Sequence, residues 1–274
     1  MPPVADGELR RLVASAAAGD RGAAEAVLAA VRDDVYRLAL RMLWHPEDAQ
    51  DATQEALLRI LTRLGSYRGE AAFRTWAYRV AANHILNWRT SRVEAESLNF
   101  RRFGEQLSEG LADLDPATPD ARLLAEEVKL GCTLGMLLCL DRDHRLAYVL
   151  VDVFDLPSAD AAWVCGVTPA AVRKRASRAR ARLRRFVGEH CGLVDHEAAC
   201  RCDRRVATAV RMGRVRPGEP LFAGHHPPDA AVGEMERLHD LASLMRSHPD
   251  YEAPGAVVAA VREVIDSGRY EILE

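Results

Sequence analysis

Apolar residues recur at helical spacing along most of the chain, and this pattern predicts an all-α protein. Residues 8–43 predict two helices that are separated near Gly19 and Gly22. Pro46 begins a third helix, because proline is tolerated in the first helical turn but not further inside. A glycine-bounded loop at 65–69 precedes a fourth helix, predicted over residues 71–91.

The periodic pattern fails over an acid-rich stretch and returns after it. Residues 93–120 are typical of a flexible linker that holds at most a short helix. Helical spacing returns at 121–155 and continues through two helices around a tight turn at 157–186. We therefore expect two helical domains, a linker and a helical C-terminal extension. The predicted boundaries are 1–92, 93–122, 123–188 and 189–274.

Two amphipathic helices are predicted near the end of the chain, over residues 231–248 and 255–267. Such helices must bury their apolar faces against another part of the protein. We expect one of the two domains to provide that surface.

Composition narrows the class of protein. Hydrophobic residues make up 49% of the chain, but no stretch is long and apolar enough for a signal peptide or a membrane helix. We therefore expect a soluble, cytoplasmic protein with no membrane partner. Arginine supplies nearly all of the positive charge, since Lys129 and Lys174 are the only lysines.

The helices around residue 166 have the spacing of a helix-turn-helix. Ala162, Gly166 and Val172 provide the close approach, the turn and the apolar seal of such a motif. Thr168 is a good N-cap, and Pro169 fits the first helical position. The second helix carries eight basic residues among the thirteen of 173–185, although the net charge of the chain is -3. A solvated charged face would explain this, but a surface for nucleic-acid phosphate explains it better.

Two distant stretches together resemble a known family. The sequence PEDAQDATQEALLRI, followed by YRGEAAFRTWAYRVAANHILNWRTSR, resembles region 2 of extracytoplasmic-function RNA polymerase sigma factors. The stretch from LDRDHRLAYVL to RARARLRR resembles region 4 of the same group. The resemblance covers about residues 20–187. Trp163 departs from it, since the family position is usually small or polar.

The resemblance implies three groups of binding residues. Those for docking on the largest polymerase subunit are Asp48, Asp51, Gln54 and Glu55. Those for the partly single-stranded −10 element are Ser66, Tyr67, Arg68, Arg74, Thr75, Tyr78, Asn83 and Arg89. Those for the −35 duplex are Thr168, Arg173, Lys174, Ser177 and Arg178, with Arg175, Arg180 and Arg182 expected to meet phosphate or solvent.

The implied function is binding and not catalysis. The protein would direct core RNA polymerase to promoter DNA, with the helices of 121–155 and region 4 meeting the second-largest subunit. The acidic linker resembles the segment that threads toward the RNA exit channel. An anti-sigma factor, or the extension itself, would be the regulator. The alternative is an autonomous helix-turn-helix regulator that acts without core polymerase.

The cysteines leave three interpretations open. Cys191, His196, Cys200 and Cys202 lie within twelve residues, and thiolates and imidazole are good zinc ligands. They could instead form a redox-active set, with neighbouring arginines lowering thiol pKa values, or be structural. The binding function itself requires no cofactor. Three further cysteines, Cys132, Cys139 and Cys165, lie in apolar helical patterns and are interpreted as core residues.

Overall fold

A computed structural model describes residues 5–88, 98–112, 120–222, 241–246 and 248–268 of the chain. Within these ranges the protein is all-α, and the one extended pairing is an isolated bridge between Cys191 and Cys200. The helices are α1 Asp6–Ala17, α2 Arg21–Leu43, α3 Pro46–Thr62, α4 Phe73–Leu86, α5 Phe100–Ser108, α6 Ala121–Leu137, α7 Arg142–Tyr148, α8 Ser158–Cys165, α9 Pro169–His190, α10 Cys202–Arg211, α11 Leu241–Arg246 and α12 Gly255–Ser267. No helix in the described ranges is long and apolar enough to span a membrane.

The helices belong to two compact units, and both are discontinuous in sequence. The first combines Met1–Ser91, Leu156–Arg173 and Tyr251–Glu274. The second combines Arg92–Asp155 and Lys174–Asp250. The C-terminal extension therefore contributes residues to both units.

The first unit is built around α2, α3 and α4. Asp20 caps α2 by accepting a hydrogen bond from the Ala23 amide at 3.0 Å, where the sequence predicts a helix break. Pro46 is in the first turn of α3, as predicted. Leu38, Ile60 and Phe73, one from each of these helices, are fully buried.

The last helix of the extension completes this unit. α12 packs on α2 and α3 with Val257, Val261 and Ile265 buried. Just before it, the Ala253 amide donates to the Asp33 carboxylate at 2.9 Å. The expectation that this amphipathic helix packs on one of the domains is therefore confirmed.

In the second unit a buried cation, Arg145, connects two helices. Arg145 is 2% exposed, and its guanidinium donates to the carbonyl groups of Leu137 and Leu140, both at 3.0 Å. These carbonyls lie at the end of α6, where backbone acceptors have no helical partner. The cation thus links α6 to α7. A wider π-type turn over Val149–Val153 extends α7.

The predicted linker contains an ordered helix in this unit. α5 is capped by Asn99, which accepts from the Arg102 amide at 3.1 Å. Phe103 stacks on Phe186 of α9, with ring centroids 5.7 Å apart. The described part of the linker is therefore held by aromatic packing. Residues 231–240 of a predicted extension helix lie outside the described residues, and its remainder contains α11.

We expect Ile265→Ala to destabilise the first unit. Ile265 is 1% exposed, and truncating a buried isoleucine costs about 2–4 kcal/mol. All four tryptophans, Trp44, Trp76, Trp88 and Trp163, belong to this unit. Urea unfolding followed by tryptophan fluorescence should therefore show a lower midpoint.

The exposed Glu263 on the same helix provides the control. Glu263→Ala should change the free energy of unfolding by no more than about 0.5 kcal/mol. Equal midpoints for the two variants would show that α12 does not stabilise the unit.

Candidate nucleic-acid interface

The turn between α8 and α9 has the backbone that a helix-turn-helix requires. Gly166 has φ +65°, in the left-handed region that glycine adopts without strain. The Val167 amide donates back to the Ala162 carbonyl at 3.1 Å and closes the turn. Thr168 then caps α9, because its Oγ1 accepts from the Ala171 amide at 3.2 Å. The helix-turn-helix prediction is confirmed.

α9 has a buried apolar stripe and an exposed polar face. Val172, Ala176 and Ala179 are at most 1% exposed. The residues predicted to meet base edges all lie on the exposed face; they are Arg173, Lys174, Ser177 and Arg178. Because one helical face is fixed in the core, these four side chains keep a common outward direction.

Three other arginines of α9, expected to meet phosphate or solvent, also contact groups within the protein. Arg175 lies 2.9 Å from the Asp143 carboxylate. Arg180 lies 2.6 Å from Asp152. Arg182 stacks over the Phe100 ring, with its Cζ 5.2 Å from the centroid. The positive charge of the helix is thus partly neutralised along one side, and the predicted reading residues are left exposed.

A second candidate surface surrounds a cavity beside α4. Its lining includes Tyr67, Arg68 and Asn83, all predicted to bind the −10 element, together with Arg79 and Trp163. The Arg79 guanidinium lies 4.5 Å from the centre of the Trp163 ring, close enough for a cation–π contact. Aromatic rings beside exposed cations and an amide suit unstacked bases and phosphate.

The loop before α4 has a defined conformation. The Ser66 hydroxyl donates to the Arg63 carbonyl at 2.7 Å, and the Tyr67 hydroxyl donates to the Ala71 carbonyl at 2.8 Å. Tyr67 also packs edge-on against Phe73 at 5.3 Å. These contacts hold the loop at the edge of the cavity.

Three of the predicted −10 residues do not line the cavity, and two of them, Arg74 and Tyr78, lie near Asp34 of α2. Thr75 is 7% exposed. Arg74 forms an ion pair with Asp34 of α2. Burial raises the pKa of the Tyr78 hydroxyl above its ordinary range, and the Asp34 carboxylate raises it further. Arg89 lies outside the described residues.

Sequence reasoning missed Arg79 and Trp163 as parts of this surface. Arg79 is one turn before Asn83 on α4, so helical spacing alone could have placed it on the same face. Trp163 comes from a distant segment, and no local pattern links it to α4. Trp76 and Val80, on the same helix, are both buried at 8% exposure.

An acidic face remains accessible on α3. Asp51 and Glu55 are exposed, while Asp48 and Gln54 are half-buried. Glu55 lies 3.5 Å from the Nε2 atom of His84, and burial lowers the pKa of that imidazole. At neutral pH the face therefore offers carboxylates that a neutral histidine does not neutralise.

The predicted zinc ligands of the extension are one histidine and three cysteines. His196 is exposed, and its backbone carbonyl accepts from Arg201 at 2.7 Å. The described residues contain no group of three or more His, Cys, Asp or Glu side chains arranged to hold a metal ion. The zinc site therefore stays a prediction. Cys132 and Cys165 are partly exposed, which differs from the core interpretation, whereas Cys139 is buried.

The extension thiols and Cys132 share one electrostatic environment. Burial raises the pKa of Cys191, Cys202 and Cys132, and raises that of Cys200 to about 11. Neighbouring thiolates would raise the values for Cys132, Cys200 and Cys202 further, and nearby arginines only partly oppose this for Cys200. A redox-active set needs the opposite, since the thiolate is the reactive form.

Known families match the chain over the two segments that carry the candidate surfaces, and in the same chain order. The family description Sigma-70 region 2 matches residues 27–94, and Sigma-70, region 4, matches residues 130–183. The ECF RNA polymerase sigma factor SigM of Mycobacterium tuberculosis is 32% identical over 177 residues, covering 65% of this chain and 83% of SigM. The RNA polymerase sigma-H factor of Pseudomonas aeruginosa is 28% identical over 179 residues, covering 62% of this chain and 89% of that factor.

Two solved structures are also similar over parts of the chain. The crystal structure of the Mycobacterium tuberculosis extracytoplasmic function sigma factor SigJ is 26% identical with a TM-score of 0.35, covering 67% of this chain and 57% of SigJ. The sigma factor RpoE of Bartonella quintana, crystallised with the anti-sigma factor NepR, is 20% identical with a TM-score of 0.37. That match covers 58% of this chain and 93% of RpoE.

The raised thiol pKa values predict a loss of stability at alkaline pH. In the unfolded chain Cys200 ionises near pH 8.5, whereas in the folded protein its pKa is about 11. The contribution of the folded, protonated thiol is fully present below about pH 8.5 and is lost as pH rises through 11. We expect the thermal midpoint of the wild type to fall across this range more than that of Cys200→Ser. If the thermal midpoints of the wild type and of Cys200→Ser fall in parallel from about pH 8 to 11, the pKa of Cys200 is not raised in the folded protein.

Proposed function

The chain belongs to the extracytoplasmic-function RNA polymerase sigma factors, and on that premise we propose which of its surfaces perform each step of transcription initiation. As a sigma factor, it binds core RNA polymerase and directs promoter-specific initiation. The proposal is supported most directly by the exposed reading face of α9, since it holds four predicted −35 residues while neighbouring arginines are paired.

We propose that α9 reads the −35 element in the major groove. A helix in that groove contacts base edges with residues of its first turns, and Arg173, Lys174, Ser177 and Arg178 occupy those turns. Arginine and lysine donors match the acceptors of guanine, and serine serves as donor or acceptor. Thr168 would position the helix through its cap.

We propose that the cavity beside α4 receives the non-template strand of the −10 element. Tyr67, Arg68 and Asn83 would bind an unstacked base and its phosphate, with Arg79 added from the structure. Arg74 and Tyr78 would support α4 through their interactions with Asp34 of α2, and Thr75 through its burial. Since Trp163 covers one face of the Arg79 guanidinium, an incoming base would stack on the other face or displace the ring.

The acidic face of α3 is the proposed docking surface for the largest subunit of core polymerase. Asp51 and Glu55 are its exposed carboxylates, with Asp48 and Gln54 beside them. Carboxylates that face a basic partner accelerate encounter and fix the register of a complex. We further propose that the helices of 121–155 meet the second-largest subunit, and that an anti-sigma factor is another partner.

The proposed action is binding in the cytoplasm, where core polymerase works. The chemistry of RNA synthesis belongs to the polymerase, and no reaction is assigned to this chain. The proposed binding function itself requires no cofactor.

We expect Asp51→Arg to weaken binding to core polymerase. Reversing an exposed charge replaces attraction to a basic partner with repulsion, and we expect an affinity loss of about tenfold at low ionic strength. Titration of labelled protein with core polymerase measures the change, which added salt should diminish.

Glu8→Arg makes the same change of charge at an exposed position of α1. It should leave the affinity for core polymerase within about twofold, because a single distant surface charge is largely screened. If the two variants bind core polymerase equally well, α3 is not the docking surface.

Arg178→Ala should reduce promoter recognition by the assembled holoenzyme. A base contact made by arginine contributes about 1–3 kcal/mol of discrimination, so we expect a loss of about tenfold or more on a promoter. A suitable promoter is first selected from genomic fragments by in vitro transcription. Binding to unrelated duplex DNA should change much less.

Arg185→Ala removes an equally exposed arginine from the last turns of the same helix. It should reduce binding to promoter and unrelated DNA alike, and by no more than a phosphate contact contributes. If both variants lose the same affinity for the promoter, Arg178 does not read a base.

A further inference from the structure

The middle of the extension is bonded to the linker. In α10, the Arg205 guanidinium donates to the Glu109 carbonyl at 2.6 Å, and the Thr208 hydroxyl donates to the Gly110 carbonyl at 2.6 Å. The Ala112 amide donates to the Arg204 carbonyl at 3.1 Å. Together with Arg214, which donates to the Gln106 side chain at 2.8 Å, these bonds hold residues 106–112 on α10.

At Gly110 the linker backbone lies so close to α10 that a larger residue would clash. Its φ is +62°, where residues with a Cβ atom are strained. A Cβ atom built there would lie 2.7 Å from Thr208 Oγ1 and 2.9 Å from an Arg211 nitrogen. The linker backbone therefore approaches α10 as closely as glycine allows.

The opposite side of α10 is fixed to α6. Val206 and Ala209 share a buried cluster with Leu124 and Val128 of α6. Arg205 is itself only 4% exposed, so its bond to the Glu109 carbonyl is shielded from water. α10 is thus a rigid support, and the linker segment is the part that it holds.

Resting on the proposed sigma function, we infer that α10 is an internal clamp that holds linker residues 106–112 and limits their availability to core RNA polymerase. In sigma factors that this chain resembles, the linker threads toward the RNA exit channel. It cannot enter a channel while its carbonyls are bonded to Arg205 and Thr208. Release of the clamp must therefore accompany productive assembly.

The clamp lowers the apparent affinity for core polymerase. A protein whose binding-competent state is only partly populated binds its partner more weakly by that fraction. Weakening the clamp raises the population with a free linker, so affinity should rise. This direction is opposite to that expected for an extension that contributes contacts to polymerase.

Two variants of the full chain weaken the clamp in different ways. Gly110→Ala introduces the clash with Thr208, and Thr208→Val removes the hydroxyl donor with little change of volume. Gly218→Ala is the matched control, because Gly218 also has positive φ, +81°, but a Cβ atom there meets nothing within 4 Å. A variant that loses its cooperative thermal transition is set aside in favour of the other.

Hydrogen–deuterium exchange of the free protein measures directly whether α10 holds the linker. We expect exchange of the Ala112 amide, which donates to the Arg204 carbonyl, to accelerate at least about tenfold in both clamp variants, and not in Gly218→Ala. Titration with core polymerase should then show about three- to tenfold tighter binding for the clamp variants. Initiation assays with the same proteins should show more full-length transcript.

If amide exchange is unchanged in both clamp variants, α10 does not hold the linker. Faster exchange with unchanged or weaker core binding would overturn its regulatory role. If the wild type itself does not bind core polymerase, the proposed sigma function fails instead, and the exchange experiment still decides whether α10 holds the linker.

Discussion

The surface proposed to read DNA depends on how one helix distributes its charge. α9 carries eight basic residues among thirteen, and an apolar stripe that includes Val172 and Ala176 fixes its orientation. Carboxylates of the α6–α7 connection, of α7 and of the turn after it neutralise the cations on one side, as Asp143 does for Arg175 and Asp152 for Arg180. Arg180 keeps 46% of its side chain exposed, so pairing reduces its charge without burying it. In the proposed −35 contact, this division would leave Arg173, Lys174 and Arg178 as the cationic donors for base edges.

The extension is not a separate module in this fold. α12 contributes buried residues to the unit that contains α2 and α3, and α10 contributes to the unit that contains α5 and α6. Removing residues 189–274 would expose apolar surface in both units and free the linker as well. Loss of activity in such a truncation would therefore not identify the extension as an activator. Substitutions such as those at Gly110 and Ile265 separate its effects.

Helical spacing and capping residues were sufficient to predict most of the fold. Asp20, Pro46, Gly166 and Thr168 act locally, so the sequence alone located the helix boundaries and the helix-turn-helix. Tertiary contacts were not accessible in this way. Nothing near Cys132 in sequence indicates that it shares an environment with Cys200, and nothing near Arg175 indicates its pairing with Asp143. The zinc hypothesis relied on sequence proximity; the structure leaves His196 exposed, while Cys191, Cys200 and Cys202 share one environment.

The family pattern did not predict the contact that Trp163 makes in the structure. In sequence it is a bulky departure in the first helix of the helix-turn-helix, with no apparent partner. In the structure it lies over Arg79, on the α4 surface proposed to bind the −10 strand. The face of the guanidinium that the indole covers is not available to a nucleobase. If α4 binds the −10 strand as proposed, the residue that departs from the family pattern therefore covers part of that surface.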